Sequence, residues 1–246
     1  KFFSLPQSPQ LYKQILMVSG LDRYFQIARC LRDEDLRADR QPEFTQIDIE
    51  TSFTDEEDIY NLCEGMLKQI WKNVHGIDIK TPFQRLKYEE AMKRYSSDKP
   101  DLRFGLELTD VTEIVKRSDF QVFKNAELVK CINPEKSLSR KELDGYVDFC
   151  IKAGAKGMAW AKVAEKGFES SIAKYFSPEV QEELVKATGA KKGSVLMFVA
   201  DKPSVVHEAM DKLRRRLGKD LKLINEKDLN FCWITHFPLY EWNEDE

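Results

Sequence analysis

Two runs of alternating apolar and polar residues, 24–32 and 43–53, predict two β-strands joined by a charged loop. Residues two apart share a face of a strand, so one face collects polar and charged groups. These groups are Arg32, Phe44, Gln46, Asp48 and Glu50. The opposite face is aliphatic and is predicted to pack against a core. Alternation alone favours an ordinary sheet with its polar side in water. An aromatic ring in a row of Gln, Asp and Glu is unusual for a strand, and we interpret this face as the binding surface for a polar ligand.

Helical signals lie on both sides of this hairpin. Ser8 as N-cap with Pro9 at the first helical position predicts a helix that ends at Gly20. Lys13 within it is, taken alone, a typical solvated surface lysine. A capping box at 54–57 predicts a long helix whose apolar stripe packs into a core and which closes at Gly76.

After a predicted helix at 87–95 and a Ser/Asp/Pro-rich loop, strands and helices alternate from about residue 108. Strands are predicted at 127–132, 157–163 and 194–200, and helices at 112–116, 139–153, 177–189 and 204–217. This piece has the size of a separate domain. Strand-like sequence resumes at 228–238.

The composition narrows the class of protein. The chain has 246 residues, of which 42% are hydrophobic and 33% charged, as in a globular protein, and no apolar run approaches the roughly 20 residues of a membrane helix. A net charge of −3 excludes a global basic field that would recruit nucleic acid. The five cysteines are widely spaced without a CxxC pair, which indicates free thiols in a reducing cytoplasm and disfavours a zinc site.

Other candidate motifs are weaker. The glycine pairs at 154–157 and 189–193 do not match a phosphate-binding loop and are interpreted as helix ends. The basic run Lys212, Arg214, Arg215 and Arg216 complements a helix dipole, with an RNA contact as the alternative. The three histidines form no ligand pattern.

The chemistry of the polar face suits a nucleotide beside a small zwitterion. The fork of Arg32 matches a phosphate, and the flat ring of Phe44 can stack on a purine. Asp48 and Glu50 could hold an ammonium group or, less directly, a metal. If the first helix abuts the hairpin, Lys13 supplies a cation for a carboxylate. Activation of an amino acid with ATP requires groups that bind a nucleotide and a zwitterion side by side.

The spacing Arg32-x-Glu34, charged loop, Arg40-x-x-x-Phe44-x-x-x-Asp48 resembles motif 2 of class II aminoacyl-tRNA synthetases. The strings LPQSPQLYKQ, DRYFQIARCLRDEDLRADRQPEFTQIDIE and SDKPDLRF resemble bacterial-type aspartyl-tRNA synthetases. The resemblance implies an α+β fold, with part of the antiparallel class II catalytic core and an inserted α+β domain. The implied domains are 1–107 (catalytic, with motif 2), 108–222 (insertion) and 223–246 (return to the catalytic domain, before motif 3).

The resemblance also implies roles for individual residues. The catalytic residue is Arg32, which stabilises charge on the α-phosphate. Aspartate would contact Ser8, Gln10, Lys13, Arg32, Gln46 and Asp48. ATP would contact Arg32, Asp33, Glu34, Arg40, Gln41 and Phe44. The tRNA acceptor end would contact Glu34, Asp35 and Arg37. Cofactors are ATP and Mg²⁺, with no metal ligand expected in this chain.

The implied partners are L-aspartate and tRNA(Asp), with tRNA(Asn) left open, in a homodimeric cytoplasmic parent that does not bind membranes. Family members are longer, and the sequence shows neither motif 1 nor motif 3. We therefore expect a fragment that is inactive by itself. Two alternatives remain: a non-catalytic binding or regulatory paralogue, and a class II enzyme for lysine or asparagine.

Overall fold

The chain divides into two units, Lys1–Pro82 (unit 1) and Phe83–Glu246 (unit 2). A computed structural model describes residues 5–33 and 40–240. Its helices and mainly antiparallel strands confirm the predicted α+β class. The predicted domain boundaries at 107 and 222 remain predictions.

Unit 1 contains a hairpin and two helices. Its elements are α1 (Gln10–Val18), β1 (Arg23–Leu31), β2 (Glu43–Thr51) and α2 (Glu56–His75). The strands pair antiparallel, with Cys30 opposite Phe44 and Gln26 opposite Asp48. This register confirms the predicted hairpin and places the polar groups of both strands on one face.

Both helix starts in unit 1 differ from the prediction. The N-cap of α1 is Pro9, without a side-chain hydrogen bond, so Ser8 does not cap the helix. The capping box of α2 joins Asp55 and Asp58 instead of residues 54 and 57. Asp55 accepts from the Asp58 amide at 3.1 Å and Asp58 accepts from the Asp55 amide at 3.2 Å. The aspartate one residue later outcompetes the threonine, because aspartate is the stronger N-cap.

The aliphatic face of the hairpin is not a core face in unit 1, contrary to the prediction. Phe25 is 74% exposed and Ile27 is 69% exposed. The apolar stripe of α2 is also largely open, with Val74 69% exposed. The physical reason is the small size of the unit, because two strands and two helices cannot cover both faces of the sheet as well as the helix stripe.

Unit 2 alternates short strands and helices. Its elements are β3 (Gln84–Lys87), α3 (Tyr88–Tyr95), β4 (Leu108–Asp110), α4 (Thr112–Val115), α5 (Gln121–Lys124), β5 (Leu128–Ile132), α6 (Arg140–Lys152), β6 (Ala159–Ala164), β7 (Gly167–Glu169), α7 (Pro178–Thr188), β8 (Val195–Asp201), α8 (Pro203–Asp220) and β9 (Cys232–Thr235). Five strands form an antiparallel sheet in the order β4-β5-β8-β6-β7. The strands β3 and β9 form a separate parallel pair.

The five-stranded sheet is covered on both faces. Successive residues of β8 therefore enter different cores. Met197 packs with Leu213 of α8 on one side, and Phe198 packs with Leu184 of α7 on the other. This arrangement explains why β8 reads as a nearly continuous apolar run. The predicted caps at Ser139 and Ser177 are confirmed, since each accepts a hydrogen bond from the first turn of its helix.

The basic run in α8 proves to be structural. Arg214 is fully buried and donates to the backbone carbonyls of residues 101, 104, 105 and 106 at 2.9–3.0 Å. Its guanidinium lies 4.1 Å from the ring centre of Phe104. Lys212, Arg215 and Arg216 pair with acidic residues of the same helix. The interpretation as a helix-end dipole effect is therefore wrong for Arg214, which fixes the 101–106 loop.

The part of the chain that the structure describes contains no helix long and apolar enough to cross a membrane. All five cysteines are free thiols, and Cys30, Cys131 and Cys150 are buried.

Candidate active site

Lys13 anchors the candidate site. It lies on α1, and its ammonium contacts Asp48 of β2 at 2.9 Å and Glu50 at 3.2 Å. The Lys13 side chain is only 12% exposed. Taken alone, this residue was expected to be a solvated surface lysine, and that interpretation is wrong. The hydrogen bond with Asp48, reinforced by Glu50, raises the pKa of Lys13 above its ordinary 10.5, so it is a permanent cation at neutral pH.

Asp48 has an unused acceptor. Its Oδ1 atom accepts from Lys13, whereas its Oδ2 atom is buried without a hydrogen-bond partner among the described residues. A buried carboxylate oxygen without a donor is unfavourable. An incoming N–H donor, such as an ammonium group, would satisfy it.

Arg32 and Phe44 lie at the other end of the polar face. The Arg32 guanidinium lies 5.2 Å from the ring centre of Phe44, a cation–π distance. The Arg32 Nε atom reaches the carbonyl of Gln7 at 3.5 Å, and the Arg32 amide donates to the carbonyl of Pro42 at 2.8 Å. The chain segments before α1 and before β2 therefore meet at Arg32.

Gln46 occupies the middle of the face. Its Oε1 atom lies 3.3 Å from the thiol of Cys30, which is fully buried. The thiol is a weak donor, and the amide oxygen of Gln46 accepts from it. This role of Cys30 is not predicted from the sequence. The signal was available, since Cys30 shares the face of Arg32.

The remaining predicted residues are placed less tightly. Ser8, Gln10, Asp33, Arg40 and Gln41 are exposed. Glu34, Asp35 and Arg37 lie outside the described residues. The structure thus brings together Lys13, Asp48 and Glu50, and separately Arg32 and Phe44, on one sheet face. Glu50, interpreted from the sequence as a candidate ligand of an ammonium group or a metal, is a second partner of Lys13.

This face offers two kinds of chemistry side by side. One end combines a fixed cation with two carboxylates, which suits a ligand that carries both charges. The other end combines a guanidinium and an aromatic ring, which suits a phosphate and a purine. Within residues 5–33 and 40–240, no group of three or more His, Cys, Asp or Glu could hold a metal ion. A cavity of about 690 Å³ lies wholly in unit 2, and none of its lining residues belongs to the predicted site.

Comparison with known proteins gives a consistent result. Residues 1–245 match the family described as tRNA synthetases class II (D, K and N). The chain is 54% identical over 253 residues to an aspartate–tRNA(Asp/Asn) ligase of Geobacillus sp. (strain WCH70). It is 53% identical over 252 residues to an aspartate–tRNA ligase of Halalkalibacterium halodurans. Both alignments cover 100% of this chain and 43% and 42% of those relatives.

Proposed function

The chain belongs to the class II tRNA synthetases (D, K and N), and on this premise we propose that it forms part of the substrate-binding surface of an aspartate–tRNA ligase. In the proposed reaction the α-carboxylate of aspartate attacks the α-phosphorus of ATP, and the P–O bond to pyrophosphate breaks. The terminal ribose hydroxyl of the tRNA then attacks the aspartyl carbonyl, and AMP leaves. The observation that carries the proposal is the part-buried Lys13 cation, held by two carboxylates on the same face as Arg32 and Phe44.

The donor capacity of Lys13 supports an acidic amino acid. Its ammonium has three N–H groups, and Asp48 and Glu50 occupy two of them. The side-chain carboxylate of aspartate would accept from the third N–H, and the substrate ammonium would donate to the Oδ2 atom of Asp48, which has no partner among the described residues. Aspartate would thus supply both an acceptor for Lys13 and a donor for Asp48. The amide nitrogen of Gln46 would donate to a substrate oxygen.

The other end of the face would receive ATP. Arg32 would neutralise charge that develops on the α-phosphate during the displacement. Adenine would stack on the face of Phe44 that the Arg32 guanidinium does not cover. Arg40 and Gln41 would contact the phosphates and the nucleoside. Mg²⁺ would accompany ATP and neutralise its phosphates, held by groups other than those assigned here.

The remaining roles follow the family resemblance. Ser8 and Gln10 would line the aspartate pocket, Asp33 would contact ATP, and the charged loop with Glu34, Asp35 and Arg37 would approach the acceptor end of the tRNA. We also propose a homodimeric, cytoplasmic parent protein. One relative is named an aspartate–tRNA(Asp/Asn) ligase and another an aspartate–tRNA ligase, so tRNA(Asn) is a second candidate substrate.

Lysine and asparagine are weaker candidates as substrates. The side-chain ammonium of lysine would be repelled by Lys13, and the neutral amide of asparagine would accept a weaker hydrogen bond from Lys13 than a carboxylate does. A non-catalytic paralogue is disfavoured, because the chain is 53–54% identical to two aspartate ligases.

The test is substitution of Lys13 by Met in the full-length protein, followed by amino-acid-dependent exchange between ATP and pyrophosphate. Loss of one charged hydrogen bond should raise the KM for aspartate roughly 10- to 100-fold, because such bonds contribute about 1.5–3 kcal/mol. The KM for ATP should stay within about twofold, because Lys13 lies at the opposite end of the face.

Lys68→Met is the matched control, since Lys68 is also a lysine on a helix of unit 1 but is 42% exposed and paired with Asp78. It should leave both constants unchanged. Equal loss of affinity for aspartate and for ATP in Lys13→Met would contradict the proposal that Lys13 binds the aspartate side chain. Exchange that requires lysine or asparagine in place of aspartate would overturn the substrate assignment.

A further inference from the structure

A second buried lysine, unrelated to the candidate active site, lies in unit 2. Lys130 is the central residue of β5 and is 2% exposed. Its ammonium donates to the carbonyls of Met92 and Lys93, the latter at 2.9 Å. These carbonyls belong to the last turn of α3, and the Met92 carbonyl also accepts from the Ser96 amide at 3.0 Å. Lys130 therefore ties the C-terminal end of α3 to the sheet.

Ser96 connects this lysine to a histidine. The Ser96 hydroxyl lies 3.0 Å from the Lys130 ammonium and 3.0 Å from Nδ1 of His207 on α8. An ammonium group can only donate, so the hydroxyl oxygen accepts from Lys130 and its hydrogen is free to point to His207. In the neutral imidazole with its proton on Nε2, the Nδ1 atom of His207 accepts this hydrogen. Ser96 has a left-handed backbone conformation (φ 57°) that these contacts hold in place.

Charges around this relay keep the histidine neutral. Burial, followed by the charge of Lys130, lowers the pKa of His207 to about 4, while Asp110 of β4 opposes the shift. Burial lowers the pKa of Lys130 to about 8, with Asp110 raising it and Lys93 of α3 lowering it. Lys130 is thus charged and His207 neutral at pH 7. Protonation of His207 would place a second positive charge beside Lys130 and remove the acceptor for the Ser96 hydroxyl.

We infer that the Lys130–Ser96–His207 relay is an acid-sensitive latch, which holds the end of α3 on the five-stranded sheet while His207 is neutral and releases it when His207 is protonated. The sign follows from linkage. When the latch is open, His207 meets solvent and regains its ordinary pKa, which lies above that of the closed state, so protons favour the open state. The closed state loses stability as the pH falls from about 6.5 to 4. Lys130 stays charged throughout this range and does not contribute to the change.

Hydrogen exchange tests the latch. The Ser96 amide donates to the Met92 carbonyl at 3.0 Å and reports opening of this helix end. Its protection factor should fall by at least about tenfold between pH 7 and pH 4.5. Amides of β8 report global unfolding and should keep their protection better than the Ser96 amide does. In His207→Gln, which can accept from Ser96 but does not titrate, the Ser96 amide should lose this extra dependence on pH.

His75→Gln is the matched control, because His75 ends α2 in unit 1. It should retain the response of the unchanged protein. An unchanged pH response in His207→Gln would overturn the latch. If that variant does not fold, an NMR titration of His207 in the unchanged protein decides the question. A pKa below 5 supports the latch, and a pKa near 6.5 contradicts it.

Discussion

Lys13 of unit 1 and Lys130 of unit 2 are both largely buried, but they face different partners. Lys13 contacts two carboxylates, one of which keeps an oxygen without a partner among the described residues. Lys130 contacts carbonyls and a hydroxyl. A carboxylate with spare acceptor capacity leaves room for a ligand, whereas the carbonyls at the end of α3 are satisfied within the protein, by Lys130 and, for Met92, also by the Ser96 amide. The partners of a buried cation, more than its burial, separate a binding role from a structural one.

The two units also differ in how much apolar surface they leave exposed. Unit 2 covers both faces of its five-stranded sheet, and β5 and β8 have fully buried residues on each side. Unit 1 leaves the aliphatic face of its hairpin open, with Phe25 and Ile27 more than two-thirds exposed. The stability of the isolated chain should therefore reside in unit 2, and substitutions there should have the larger effects.

Replacement of Arg214 by Met gives the largest expected effect. It leaves four carbonyls of the 101–106 loop without their shared donor. The cost should be about 3–5 kcal/mol of unfolding free energy, as for other broken buried charge contacts. Urea denaturation of the chain measures it as a lower midpoint.

Arg215→Met is the control for this experiment. Arg215 is the next residue of the same helix, but it is 53% exposed and pairs with Asp211 one turn earlier. Its loss should cost less than about 1 kcal/mol. Similar midpoints for the two variants would refute the structural role of Arg214.

Two glycine substitutions compare the packing of the units directly. A Cβ atom at Gly218 in α8 would lie 2.7 Å from the Phe104 ring, so Gly218→Ala should destabilise the chain by about 1–3 kcal/mol. A Cβ atom at Gly65 in α2 meets no atom within 4 Å, so Gly65→Ala should stabilise α2 by about 0.5–1 kcal/mol. Thermal unfolding followed by circular dichroism measures both. Changes of opposite sign in stability would confirm that α8 of unit 2 is tightly packed where α2 of unit 1 is open. Changes of the same sign would contradict this difference.

The smallest effect concerns the helix caps. Ser139→Ala removes a hydroxyl that accepts from the Glu142 amide and should cost about 1 kcal/mol. Ser8→Ala removes a side chain that does not cap α1 and should leave the unfolding free energy unchanged. A measurable loss of stability in Ser8→Ala would instead support the predicted N-cap at Ser8.

Local features were predictable from the sequence. The period-2 pattern of the hairpin placed Arg32, Phe44, Gln46 and Asp48 on one face, because alternation and pairing depend only on neighbours along the strand. The caps at Ser139 and Ser177 were also found. Their hydrogen bonds close within one turn, so the sequence contains both partners.

Contacts between distant residues were not predictable. The sequence shows Arg214 as one member of a basic run at a helix end, and its carbonyl partners lie more than a hundred residues earlier. The pairing of β3 with β9 joins two segments whose own sequences do not specify each other. A lone lysine in the apolar strand LVKCI was a signal for a buried contact, but neither its partners nor the relay to His207 could be read from the pattern.

The parallel pairing of β3 with β9 has a topological consequence. Parallel neighbours need a crossover connection, which in most proteins is a single helix of a dozen or more residues. Here the crossover contains α3, the five-stranded sheet and its helices. Everything between Lys87 and Cys232 is thus a single, very large connection between two paired strands, so the whole five-stranded sheet folds within one crossover.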